Sequence, residues 1–266
     1  MLKDAAFWST VIALLALILS QLPPLRELLK HRELRIVVPE TVSLYHFMGN
    51  LQISGFLALH NVGGRSITVQ KVECVLLDDD GHPLRLPAQT YWSRAQAASG
   101  QELFIGWIQL SPSEHWAESV HFYKVWSVQD EEDSAKIVTS IRDDITAKRA
   151  AATTYLPNSP DADDKLAKDA KDFFEKHFNL TKGNYRLLIA AISEKTDVVA
   201  VRGFDFTLYD HHIRALRSVA DDYKTGAGIY YPVSDPYKSS VSPRLRPMQD
   251  DEAQRSYAKL ATADLA

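Results

Sequence analysis

Histidines are the residues of this chain whose types and spacing come closest to a chemical site. His115 and His121 have even spacing within one predicted strand, and His211 and His212 follow Asp210 where a predicted strand gives way to a helix. A zinc site needs three or four converging ligands, one or two of them on such a rigid element. Adjacent helical residues diverge by about 100° around the axis, so His211 and His212 do not point at one metal. Structural roles are therefore favoured for both groups.

An alternative interpretation of the same region is that it forms the metal site of an enzyme. Asp205, Asp210, His211 and His212 together could hold the metal of a metal-dependent hydrolase. Asp210 has a simpler interpretation as the residue that caps the start of the next helix. No catalytic residue, metal ligand or cofactor is assigned on this basis, and an enzyme is disfavoured.

The remaining chemical motifs lack residues that their chemistry needs. Cys74 is the only cysteine and lies in an apolar predicted strand, where a thiolate is disfavoured. Residues 78–81, DDDG, are followed by Gln89 at the position where a calcium loop needs a bidentate glutamate, so a hairpin turn is favoured. Residues 63–66, GGRS, lack the lysine of a phosphate-binding loop and are interpreted as a turn between strands.

The charge balance argues against a nucleic-acid partner. The 266 residues include 30 Lys and Arg and 34 Asp and Glu, which gives a formal net charge of -4. The clearest basic cluster beyond the N-terminal region is Lys238, Arg244 and Arg246, which is too sparse for the basic stripe that nucleic-acid binders use.

An uncharged apolar run, residues 5–25, lies between Asp4 and Arg26. About 20 apolar residues match the roughly 30 Å hydrocarbon core of a bilayer, so the run predicts one transmembrane helix in contact with lipid. A cleaved signal peptide is the alternative, but no small-residue cleavage site follows the apolar core. Pro23 and Pro24 mark the expected exit from the membrane.

Positive charge is concentrated on one side of this run. Lys3 stands alone before it, whereas Arg26, Lys30, Arg32 and Arg35 follow it. The positive-inside rule places the N-terminus outside and the C-terminal domain in the cytoplasm, at the inner membrane. These four cations are candidate contacts to lipid headgroups, although a simple stop-transfer flank is favoured over specific lipid recognition. The reverse topology, with a periplasm-facing domain in an envelope complex, stays an alternative.

The pattern beyond residue 30 predicts a mainly β, α+β domain at residues 31–230. Alternating apolar residues with turn signals about every ten positions predict strands from residue 34 to about 126, with a bulge near Gln70 and Lys71. Residues 185–192 and 198–208 predict a further hairpin. About seven such strands predict an immunoglobulin-like antiparallel β-sandwich, which is preferred to a closed cylindrical sheet.

Helical periodicity predicts an insertion at about residues 129–178. The second helix of this insertion is expected to begin at Ser159 as its N-cap, followed by Pro160. A third helix is expected from Asp210 to about Lys224, ending at Gly226.

The C-terminal tail, residues 231–266, is rich in proline and serine. This composition predicts an extended, mobile linker. A terminal helix is expected beyond it, with Ala253, Tyr257, Leu260 and Ala261 on one face that either docks or frays.

Three short motifs carry a resemblance over most of the chain. They are residues 19–25, LSQLPPL; residues 49–51, GNL, leading to residues 61–65, NVGGR; and residues 110–116, LSPSEHW. Together they resemble uncharacterised bacterial single-pass membrane proteins with a small β-rich cytosolic domain. The resemblance implies an anchor and a β-rich domain, and it implies no activity.

The functional expectation follows from the anchor, the β pattern and the failed search for catalytic groups. These favour a membrane-anchored, non-enzymatic protein-interaction or scaffold module, which raises the local concentration of a partner protein. Phe122, Tyr123, Trp126, Tyr230 and Tyr231 are candidate contact residues, since aromatic residues are enriched at interface centres, although core positions are favoured.

Overall fold

The structure is a computed structural model that describes residues 2–28, 31–93, 102–152, 160–193, 197–233 and 240–263. Its strands are β1 (Leu34–Val37), β2 (Ser43–Phe47), β3 (Asn50–Asn61), β4 (Ile67–Leu77), β5 (Pro83–Trp92), β6 (Glu102–Phe104), β7 (Ile108–Leu110), β8 (His115–Tyr123), β9 (Gly183–Ser193), β10 (Val198–Leu208) and β11 (Arg246–Pro247). Its helices are α1 (Leu2–Leu28), α2 (Val128–Ala151), α3 (Asp164–His177), α4 (Asp210–Ser218) with a 3-10 helix at Val219–Thr225, and α5 (Asp250–Ala263).

Within the described residues, the strands form one antiparallel sheet of 11 strands. Its order is β1-β3-β8-β5-β4-β9-β10-β11, with β2 added to β3, β6 to β5 and β7 to β4. The sheet curls until β1 contacts β10. The segment before β11 also bridges the two ends, because the Leu44 amide donates to the Val241 carbonyl at 2.8 Å while Phe204 pairs with Pro247. The main hydrophobic core lies inside this curl.

Register shifts in the strand pairing bend the sheet; besides the two below, one lies between Val198 and Ala200 where β10 pairs with β9. The register between β4 and β9 shifts between Val69 and Lys71, which confirms the predicted bulge. The pairing of β5 with β8 shifts between Ala88 and Thr90, so β5 pairs with β4 through its first half and with β8 through its second. The β-rich, antiparallel character is therefore confirmed. Hydrogen bonding runs unbroken from β1 to β11, so one curled sheet replaces the two separate sheets of the predicted immunoglobulin-like sandwich.

The apolar N-terminal run forms α1, but the predicted transmembrane helix is contradicted. Among the described residues, no helix is at once long enough and apolar enough to cross a membrane. The side chains described for α1 are those of residues 7–20. The single-pass signal anchor is corrected accordingly.

The helix starts differ from those expected by a few residues. The N-cap of α3 is Asp163, whose carboxylate accepts from the Lys165 amide at 2.9 Å; Ser159 lies outside the described residues. Tyr209 precedes α4, so Asp210 is its first residue rather than its cap. The expected end at Gly226 is confirmed, with a left-handed φ of 88° that favours glycine.

The tail is packed where the structure describes it, so the predicted mobile linker is wrong for residues 240–247. This stretch bridges β2 and β10, and α5 then lies against β9 and β10 with Ala253 and Tyr257 buried. The docking alternative for the terminal helix is thus confirmed on this chain. Residues 234–239 of the predicted linker lie outside the described residues.

Candidate functional site

A cavity of about 540 Å³ opens at the end of the curled sheet that carries α2 and α3. Its walls come from the β2–β3 turn, the β4–β5 turn, the segment after β8 and the end of α3. The apolar lining includes Leu51, Leu76, Leu84, Leu86, Trp126, Leu180 and Tyr185. The polar lining includes Asn50, Asp78, His82, Lys124, Asp130, His177 and Asn179. An apolar pocket with a few converging polar groups is the usual form of a ligand site.

The β2–β3 turn is shaped to receive α3. Met48 and Gly49 have φ values of 48° and 92°, the pattern of a type I′ hairpin turn. A Cβ at Gly49 would lie 2.6 Å from the Phe174 carbonyl oxygen and 3.0 Å from the His177 Cβ. The absence of a side chain at Gly49 therefore allows the end of α3 to form one wall of the cavity.

The β4–β5 turn confirms the hairpin predicted for residues 78–81. The Asp78 carboxylate accepts from the backbone amides of Asp80 at 3.1 Å and of His82 at 2.8 Å, and these bonds, led by the one from His82, lower the Asp78 pKa. Among the described residues, Asp78, Asp80 and His82 are the one trio whose potential metal-ligand atoms lie within 4.8 Å of one another. Because Asp78 already binds the backbone of its own turn, stabilisation of the hairpin accounts for the trio.

The start of α2 places a carboxylate on the cavity wall. Ser127 is the N-cap; its hydroxyl accepts from the Asp130 amide at 3.1 Å and donates to Asp130 Oδ2 at 2.6 Å. Lys176 Nζ donates to Asp130 Oδ1 at 2.8 Å. The bond from Lys176, then that from Ser127, lowers the pKa of Asp130, so this carboxylate is ionised at neutral pH.

His177 completes this wall from the last turn of α3. Its ring lies against Trp126 and Phe173, with centroids 4.6 Å and 4.5 Å away. Nε2 is buried and lies 3.3 Å from Asp130 Oδ1, without the alignment of a good hydrogen bond. Burial lowers the pKa of His177 despite the nearby Asp130 charge, so the imidazole is neutral at neutral pH.

These groups do not form a hydrolytic triad. In such a triad the histidine lies between the serine and the carboxylate and takes the serine proton. Here Asp130 lies in the middle, with Ser127 on one oxygen and His177 near the other. The hydroxyl of Ser127 is also used to cap α2. The arrangement caps the start of α2 and pairs Asp130 with Lys176, and it does not activate Ser127 as a nucleophile.

No protein-family model matches this chain, and no curated protein matches it. The cavity is therefore interpreted from its own geometry.

The four residues of the hydrolase alternative do not meet as metal ligands within the described part of the chain. Asp205 lies on β10, 3.3 Å from Arg186 Nε, and Asp210 lies 3.3 Å from Arg214 Nε. The rings of His211 and His212 pack on one another with centroids 4.1 Å apart.

The other candidates from the sequence take separate positions. His115 is exposed, whereas Nδ1 of His121 lies 2.8 Å from the Tyr45 hydroxyl. Burial lowers the pKa of His121 and raises that of Tyr45 to about 12, so the phenol remains a hydrogen-bond donor. Cys74 is buried as expected, and burial raises the pKa of its thiol.

The predicted headgroup contacts stay a prediction. Arg32 and Arg35 are exposed, and Arg35 Nη2 lies 3.2 Å from Glu33 Oε1. The side chains of Arg26 and Lys30 lie outside the described residues.

The expected aromatic contact residues lie mainly in the core. Phe122 is buried, while Tyr123, Trp126, Tyr230 and Tyr231 are half-buried. Of these, Trp126 lines the cavity. The sequence did not single out Asp130 and His177. The spacing of Ser127 and Asp130 is a helix-start signal that could have located Asp130, but no local signal places His177 beside it.

Proposed function

We propose that this chain is a non-enzymatic binding domain whose cavity accepts an apolar side chain of a partner protein. The observation that carries the proposal is the cavity of about 540 Å³, with an apolar floor and a polar rim. Burying one aliphatic side chain contributes about 1.5–3 kcal/mol, which is enough for an anchor residue. Asp130 lies between Ser127 and His177, so these residues provide no activated nucleophile, and an interaction module needs none.

The test fills the cavity and compares the result with a similar change elsewhere. Leu84 is half-buried and lines the cavity, so Leu84→Trp should occupy part of its volume. Val37 on β1 is 54% exposed, so Val37→Trp adds the same side chain to an exposed position outside the cavity lining. Short random peptides are selected on the full-length protein, and their dissociation constants are then measured for all three proteins.

Selected peptides are expected to contain an apolar anchor and to bind Leu84→Trp at least about tenfold more weakly, a loss of about 1.4 kcal/mol. Val37→Trp should leave their affinity unchanged. Thermal unfolding of each variant checks that the fold is retained. Equal binding to Leu84→Trp and to the unmodified protein would refute the cavity as the binding site.

A further inference from the structure

His46 on β2 is a partly buried histidine whose two ring nitrogens are both hydrogen-bonded. Nδ1 lies 3.2 Å from the backbone amide of Gly49, which donates, so Nδ1 is the acceptor of this bond. Nε2 lies 2.9 Å from the carbonyl oxygen of Leu216, which can only accept, so Nε2 carries the ring proton. The two partners therefore select one neutral tautomer of the ring.

These bonds connect the wall of the cavity to the helices behind it. Gly49 belongs to the β2–β3 turn and lines the cavity, whereas Leu216 belongs to α4. The ring of His46 also packs against Phe174 of α3 and Phe178 just after it, with centroids 5.0 Å and 5.5 Å away. A change at this one ring therefore reaches the turn, α3 and α4 together.

A second proton on the ring removes the bond to the turn. A protonated imidazole has a donor on each nitrogen, so Nδ1–H of His46 would face the N–H of Gly49. Two donors facing each other repel, and the turn must move to separate them. It has no room on the side of α3, where a Cβ at Gly49 would lie 2.6 Å from the Phe174 carbonyl oxygen. The turn therefore moves away from α3, and the wall of the cavity loses its shape.

The charged groups on the helices around His46 lie in ion pairs. Lys171 of α3 pairs with Asp221 of the 3-10 helix at 2.9 Å. Glu175 of α3 pairs with Arg217 of α4 at 2.8 Å. Each pair joins opposite charges, so neither strongly favours the charged or the neutral form of the ring.

The other groups beside His46 are neutral near pH 7. Leu51 is its partner in the pairing of β2 with β3. Burial lowers the pKa of His177 on α3 and raises the pKa of Tyr223 on the 3-10 helix. Burial also lowers the pKa of His46, and the bond to the Leu216 carbonyl offsets this only in part. The ring of His46 is therefore neutral near pH 7 and gains its second proton only in more acidic solution.

We infer that the cavity is a pH-sensitive binding site, in which a second proton on His46 releases the β2–β3 turn and weakens the binding of the apolar anchor. This inference rests on the proposed function, since it assumes that the cavity binds such an anchor. It adds a means of release, because a fall in pH dissociates the partner without any change in the anchor itself.

NMR on the full-length protein without a ligand tests the device itself. The ring nitrogen signals of His46 should show the proton on Nε2 near pH 7. As the pH is lowered, the amide signal of Gly49 and the methyl signals of Leu51 should shift with the same midpoint as the His46 ring. A proton on Nδ1 near pH 7, or turn signals that do not follow the ring, would overturn the inference.

A selected peptide with an apolar anchor tests the link to binding. Its dissociation constant is measured from pH 7 to one unit below the midpoint found for His46. Below that midpoint the affinity should fall by up to about tenfold per pH unit, because the complex favours the ring without the second proton. The bound peptide should in turn lower the midpoint of the ring, since the coupling is reciprocal.

Three variants separate His46 from the other histidines. His46→Asn keeps a short acceptor side chain near the Gly49 amide but does not titrate, so most of the fall in affinity should disappear. His177→Phe removes the titratable ring on the cavity wall, and the fall should persist whatever the affinity at pH 7. His115→Asn is the matched control at an exposed position outside the cavity lining. A fall that persists in His46→Asn would overturn the inference.

The outcomes separate the inference from the proposed function. Peptide binding that depends on the cavity but not on pH would overturn the inference and leave the proposed function standing. Peptides that bind equally well to Leu84→Trp would refute both. Thermal unfolding checks that His46→Asn is folded. If it is not, the shift of the His46 midpoint by the peptide on the unmodified protein decides, and an unchanged midpoint would overturn the inference.

Discussion

A buried carboxylate links the terminal helix to the sheet. Glu73 on β4 is 2% exposed; its Oε1 accepts from Arg85 Nη1 at 2.6 Å and from the Tyr257 hydroxyl, and its Oε2 contacts Lys71. Burial raises the pKa of Glu73, but the bonds from Lys71 and Tyr257 and the charges of Lys71 and Arg85 outweigh it and lower the pKa overall. The charge is thus retained in the interior because three donors surround it.

Tyr257→Phe should remove one of these donors while keeping the ring in place. A hydrogen bond to a charged group contributes about 1.5–3 kcal/mol, so we expect the free energy of unfolding to fall by about 1.5 kcal/mol. Urea unfolding measures the change. Tyr209→Phe is the control, since Tyr209 is 58% exposed. An equal free energy of unfolding for both variants would contradict the role given to Tyr257.

At the level of residues, local roles could be predicted from the sequence, whereas contacts between distant residues could not. Cys74 as a core residue followed from its apolar strand. His177 and Asp130 lie 3.3 Å apart because α3 packs beside the start of α2, and periodicity within each helix does not encode that packing.

At the level of elements, close approach between α5 and β10 depends on a glycine. A Cβ at Gly203 would lie 2.8 Å from the Cβ of Ala253 and 2.9 Å from the sulfur of Met248. The methionine can move, but the alanine moves only with its helix. α5 is therefore placed by the absence of a side chain on the strand beneath it.

Gly203→Ala should accordingly loosen α5, with a cost of about 1–3 kcal/mol for overpacking. Hydrogen exchange of the α5 amides should become faster than in the unmodified protein. Gly106→Ala serves as the control, because a Cβ there meets nothing within 4 Å. Unchanged exchange in α5 would show that the helix is not held by this contact.

Hairpins were the elements most accessible to prediction. β4–β5 and β9–β10 each consist of neighbouring strands whose apolar periodicity is visible in the sequence. The packing of the tail was not accessible to prediction. Prolines between residues 232 and 247 are typical of linkers. The pairing of Leu44 with Val241 joins distant parts of the chain, so local sequence does not reveal it.

At the level of the whole molecule, burial makes several histidines costly to protonate. Desolvation is the largest cause of the lowered pKa of each of His46, His121, His177 and His212. In the unfolded chain these groups return toward the ordinary value of about 6.5. At pH values between the lowered pKa of the folded state and the ordinary pKa of the unfolded chain, the unfolded state binds more protons. The free energy of unfolding therefore falls as the pH falls through this range.

We therefore expect the free energy of unfolding to decrease steadily from about pH 7 to about pH 5. At lower pH the carboxylates with lowered pKa, which include Glu73 and Asp130, should extend the loss as they become protonated. Urea unfolding at a series of pH values measures the trend, and His177→Phe should reduce its slope. Stability that is constant or rises toward pH 5 would contradict this account.

The global architecture could be predicted only in part. Period-two alternation predicts a mainly β domain, but the curl depends on bulges at Val69–Lys71 and Ala88–Thr90, which set how strands are shared between neighbours. The cavity forms only because that curl brings α2 and α3 to one end of the sheet. Its existence was therefore beyond the reach of sequence periodicity.

The central claim is that this cavity binds an apolar group, and the most direct measurement locates a bound probe within it. Intermolecular NOEs are recorded between a selected peptide with an apolar anchor and the methyl groups of the full-length protein. The account predicts NOEs from the methyl groups of Leu51, Leu84 and Leu86 to the anchor side chain. NOEs confined to α1 or to the outer face of the sheet would contradict it.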